Sequence, residues 1–154
     1  GRAPRMAVKL KATLQALQSK LQAGGRFKSV SIGEPTDPPD SPHAAIILRR
    51  YENTSTTLNG SIERRTVIVR IYQKAFVEPR GDVEFLIDDI ASEFMEDIFG
   101  DFDLGGAIRN IEPLGVVVDF GYQSVGRAGG NEVMYRLADV SIPMIVDDNA
   151  VFAA

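Results

Sequence analysis

The chain has 154 residues, 44% apolar and 25% charged, with a net charge of −4. That is enough for one domain with a real core, and too acidic for a mainly electrostatic nucleic-acid binder. There is no cysteine, which excludes disulfides, thiolate metal ligands and a Cys nucleophile. Apolar runs such as 44–48 fall far short of the roughly 20 residues that cross a bilayer, and the charged N-terminus lacks the apolar core of a signal peptide.

Met6–Ala23 is predicted to be helical, because Met6, Leu10, Leu14, Leu17 and Leu21 form one apolar stripe that Gly24-Gly25 terminates. Residues 26–33 alternate weakly and predict a short strand. The segment EPTDPPDSPH follows, with four of the eight prolines, and reads as a stiff connector. Residues 44–51 predict a strand, 52–60 (ENTSTTLNG) a polar turn, and 61–77 a long strand, with Asn59-Gly60 as a hairpin signal. On that long strand Val67, Val69 and Ile71 share one face, and Thr66, Ile68, Arg70 and Tyr72 the other.

Residues 82–99 predict a second helix burying Val83, Leu86, Ile87, Ile90, Phe94 and Ile98. Phe85 and Phe99 fall nearly opposite, either as exposed anchors or tucked under adjacent loops. Residues 108–123 predict a strand broken near Pro113. Residues 124–131 predict a loop and 132–146 a last strand. In that last strand the apolar alternation switches from Val133, Tyr135 and Leu137 to Val140, Ile142, Met144 and Val146, which predicts a bulge around 137–139. The fold class expected is α+β: a single domain over 1–154, a mostly antiparallel sheet with two helices packed on it, in the order α-β-β-β-α-β-β.

Candidate chemistry is sparse. His43 is the only histidine, so a triad or His-rich metal site has little to build on, and a solvated or strand-edge role is expected. Asp101 and Asp103 resemble the start of a calcium loop, but Gly105 and Arg109 occupy ligand positions and Arg109 opposes a cation. Residues 126–130 are glycine-rich, but a strand rather than a helix follows, unlike a phosphate loop. Asp88, Asp89, Glu93, Glu96 and Asp97 make the second helix acidic, a solvated or partner-facing surface. Arg49, Arg50, Arg64, Arg65 and Arg70, interleaved with Tyr51 and Tyr72, suit a protein interface or a single-strand nucleic-acid platform; the acidity of the chain favours the former. No catalytic site, cofactor or metal is expected.

The element order, with the segments AAIILRRYENT, RRTVIVRIYQKA, DVEFLIDDIASEFMEDI and VMYRLADVSIPMIV, resembles the tail terminator (minor tail) proteins of long-tailed bacteriophages over nearly the whole chain. The resemblance implies a non-enzymatic virion protein at the head-proximal end of the tail. Six copies would close the tail tube as a ring and present a docking surface to the head–tail connector. Neck and tail-completion proteins have similar size and composition. The implied partners are further copies of the chain, the tail tube protein and the connector proteins, with DNA passing through the lumen without sequence-specific binding and no membrane. A closed ring needs two different complementary surfaces on each subunit. The expected pair is the sheet face of Arg49, Tyr51, Arg70 and Tyr72 against the acidic helix of Asp88, Asp89 and Glu96, with Phe85 as an apolar anchor.

Overall fold

The computed structural model describes residues 11–57, 60–76, 79, 81–100, 110–111, 115–126 and 130–147. Helix α1 (Lys11–Ala23) leads into β1 (Ser29–Ile32), β2 (His43–Thr57) and β3 (Gly60–Lys74). Helix α2 (Gly81–Phe99), β4 (Asn110–Ile111), β5 (Val117–Gly126) and β6 (Glu132–Asp147) complete an α+β fold. The sheet runs β1-β2-β3-β6, and β4 and β5 follow one another along the far side of β6. From Asn110 to Val117, seven positions of chain pass only four of β6, from Ile145 to Ser141. The two strands are thus the halves of the strand expected to break near Pro113. Every pairing is antiparallel except β1 with β2.

Both helices lie on one face, over a core in which Leu17, Leu21, Ile87, Phe94 and Ile98 meet Val67, Val69, Ile71, Val140, Ile142 and Met144. The expected α2 stripe differs at Leu86. Leu86 is 40% exposed and Ala91 is buried in its place, because the helix rotates its small side toward the sheet.

The opposite face carries its own apolar cluster of Ala45, Tyr72, Val125, Tyr135 and Leu137. The proline segment crosses this face: Tyr135 donates its hydroxyl to Pro39 O (2.6 Å) and Gln73 Nε2 donates to Ser41 Oγ (3.3 Å). The Ser41–Pro42 peptide is cis, and Lys28 N–H to Pro42 O and Gly33 N–H to Ile46 O tie the two ends of the crossing to the sheet.

The second cluster overturns the expected bulge in β6. The register from Ile62↔Asp147 to Lys74↔Tyr135 is unbroken. The switch in alternation arises because Tyr135 and Leu137 face the proline segment while Val140, Ile142 and Met144 face the helices. The irregularities lie in β2 instead, between Leu48 and Arg50 and between Asn53 and Ser55.

Two further expectations are corrected. Residues 52–57 continue β2 rather than forming a turn, down to the pair Thr57↔Gly60, since the Thr-rich run is compatible with a strand. Residues 124–126 extend β5, paired up to Gly126↔Glu132. The candidate calcium ligands between 101 and 112 lie outside the described residues, as does the middle of the glycine-rich loop. Among the described residues no group of three or more His, Cys, Asp or Glu could hold a metal.

Candidate functional site

Arg70 and Tyr72, expected on an exposed sheet face, are structural. Tyr72 is fully buried, edge-on to Tyr135 and tilted against His43. Burial pushes its phenol up to about 12, with the nearby Arg70 cation offsetting part of that. Arg70 forms a two-pronged pair with Asp139, Nε to Oδ1 at 2.8 Å and Nη2 to Oδ2 at 3.0 Å. Its Nη1 also donates to Glu34 and to Gln123 Oε1. One guanidinium thus links β3, β5, β6 and the proline segment, and Asp139 raises its already high pKa further.

His43 is buried rather than solvated. Ser29 Oγ lies 2.6 Å from Nδ1 and Ser31 Oγ 3.0 Å from Nε2. Desolvation lowers its pKa, so a neutral ring joins β1 to β2 at the start of the parallel pairing.

Arg49 and Tyr51 remain on the surface, at the first β2 bulge. A regular strand sends successive side chains to opposite faces; the extra residue of a bulge breaks that rule. Arg50 pairs with Thr66, which is on the face away from the helices. Arg49 reaches across the same face to donate to Ser141 Oγ on β6 (2.9 Å). With Arg64, they line a cleft of about 360 Å³ floored by Thr66, Ser141 and Pro143 and walled by Gly115, Val117 and Asp119. Glu52 sits 3.6 Å from Arg64 and 3.9 Å from Arg50. Among the described residues lining the cleft are three arginines and two carboxylates, Glu52 and Asp119. Leu48 and Tyr51, each about half exposed, flank the bulge on the helix side, where the Arg65 guanidinium stacks 4.3 Å from the Tyr51 ring. Beyond Ile46 nothing among the described residues pairs with the outer edge of β2. The bulge was not legible in the sequence; the consecutive Arg49-Arg50 pair was its only trace.

Helix α2 holds seven acidic residues and no basic one. Arg26 takes Glu93 and Asp97, holding the Asp97 carboxyl below the usual carboxylate range, and Arg136 takes Glu84 at 3.0 Å. Asp82, Asp88, Asp89 and Glu96 are exposed and have no ion-pair partner among the described residues. Phe85, at 69% exposure, is an exposed anchor on the same helix.

A second apolar surface escaped the sequence reading. β5 pairs only with β6 among the described residues, leaving a ten-residue edge with Val117, Phe120 and Tyr122 exposed. The Arg136 guanidinium covers one side of the two rings, 5.7 Å from Phe120 and 4.5 Å from Tyr122. The strand predicted over 108–123 carried no sign that α2 stops short of it.

No helix among the described residues is long and apolar enough to cross a membrane. Compared with known proteins, the chain matches no protein-family model and no curated protein.

Proposed function

We propose that this protein is a structural component of a phage tail. It acts as a ring, of six copies by the resemblance to tail terminators, that caps the tube and offers its other side to the head–tail connector. The observation that carries the reading is the β5 edge. This ten-residue strand has no strand partner on its outer side among the described residues, exposes Phe120 and Tyr122 and carries a single charge, Asp119; it is the kind of strand that proteins keep covered by a partner. Capping is geometric: one surface matches the last ring of the tube, and the opposite surface cannot seed another. It requires no cofactor or chemistry.

The test is to polymerise purified tail tube protein with increasing amounts of this chain and measure tube lengths by negative-stain microscopy. Lengths should shorten and density should sit at one end. The double variant Phe120→Asp, Tyr122→Asp should lose the effect while keeping its circular dichroism spectrum. Tubes that grow equally long at every ratio would remove the reading.

A further inference from the structure

We infer that neighbouring copies contact each other head to tail, with the acidic outer face of α2 from one copy seated on the arginine cleft at the β2 bulge of the next. The inference deepens the ring reading by naming the contact within it, and it rests on that reading for its setting.

The charge distribution carries it. α2 holds seven of the 21 acidic residues and none of the 17 basic ones, so the remainder of the chain is net positive by three. A negative element and a positive remainder on one subunit is self-complementary in a heterologous sense: each copy offers one of each surface, and neither can satisfy itself. The bulge concentrates the positive side by turning Arg49 and Arg50 to the same face, beside Arg64. Among the described residues Arg49 spends one donor, on a neutral hydroxyl, and the Arg50 side chain is 68% exposed. Arginine forks suit carboxylates, and Asp88 and Asp89 present two adjacent ones. Apolar groups accompany the charges on both sides, Val117 at the cleft and Phe85 and Leu86 on the helix. They supply the desolvated centre that charges alone lack. An acidic segment of another protein fits the cleft chemically, but α2 is present on every copy at equal concentration.

The experiment uses two variants of the full chain, Arg49→Glu/Arg50→Glu and Asp88→Arg/Asp89→Arg. All four positions are exposed, so folding is retained. Native mass is measured across a concentration series at low and high salt. The wild-type chain should grow beyond a monomer and weaken with salt. Each variant alone should need about a hundredfold higher concentration. An equal mixture should recover assembly, because the reversed helix is complementary to the reversed cleft just as the intact helix is to the intact cleft.

Variants that assemble like wild type would overturn the inference, and so would a mixture that stays monomeric. A wild-type chain that is monomeric up to about 1 mM, well above the Kd range of specific assemblies, would do the same. None of these results touches the tube-length assay, which judges the capping reading separately.

Discussion

Replacing Arg70 with alanine should destabilise the fold without altering the contact surfaces. The substitution removes both prongs of the Asp139 pair and the bonds to Glu34 and Gln123. Breaking a buried pair from one side costs about 3–5 kcal/mol. The two side chains here keep 20% and 23% exposure, so water recovers part of that, leaving a loss of about 2–3 kcal/mol. Asp139 would also face Asp119 directly across the β5–β6 pair, with no cation between them, which holds the estimate at its upper end. For a chain of this size the loss corresponds to a fall in Tm of about 5–10 °C. Arg70→Lys should lie between, since an ammonium cannot engage both carboxylate oxygens in parallel. Arg70→Met with Asp139→Leu should recover most of the loss, because no charge is then left stranded. Urea titrations of the four proteins measure these differences. An Arg70→Ala protein within about 0.5 kcal/mol of wild type would refute the argument, since that is the scatter of ordinary surface substitutions. So would a double variant less stable than the single one.

Two further outcomes follow from local geometry. Among the described residues the buried Tyr72 hydroxyl has no hydrogen bond of good geometry, only the Arg70 guanidinium nearby, so Tyr72→Phe should change stability by no more than about 1 kcal/mol. Its folded-state pKa is raised to about 12, so the native chain keeps a proton that the unfolded chain loses above about pH 10. Stability should therefore decline as pH rises from 10 through 12, on the order of 2–3 kcal/mol from this group, and a Phe variant that declines equally would assign the loss elsewhere. Gly126 has φ +149°, and a Cβ there would lie 2.0 Å from Asn131 O. Gly126→Ala should cost about 3 kcal/mol or more by thermal melting; an unchanged Tm would mean the β5–β6 turn relaxes freely.

What the sequence revealed follows from periodicity. Helix α2 was legible because Val83, Ile87, Phe94 and Ile98 recur at helical spacing, and the core face of β3 because Val67, Val69 and Ile71 alternate. The parallel β1–β2 pairing was hidden, because a ten-residue proline segment replaces the usual crossover helix. That same segment supplies the second buried face, which turned Tyr72 from an expected surface anchor into core. Arg70 misled for a related reason: its partners Asp139, Glu34 and Gln123 are far from it in sequence, so an arginine amid apolar residues looked free. Asp88, Asp89 and Glu96 are exposed as expected, since exposure on a helix follows from phase, and of the two alternatives left for Phe85 the exposed one holds. Arg49 and Tyr51 are both exposed, but Tyr51 lies on the helix side and not on the face expected to carry both. The bulge that gathers the arginines is a property of pairing, which one strand does not encode.

The position of β6 has a consequence for synthesis. This strand is the last of the described sequence, yet it lies inside the sheet, with β3 on one side and β4 and β5 on the other. Thirteen consecutive positions of β3, from Ile62 to Lys74, pair with it. A ribosome that has not yet released residues 132–147 therefore holds a chain whose hairpin has an open flank and whose helices have half a platform. Such long-range closure is slow and comes late. A chain without β6 cannot present β5 in its place, because among the described residues β5 pairs with β6 alone. Synthesis of β6 therefore precedes any use of the β5 edge: a nascent chain without residues 132–147 has no such edge to offer.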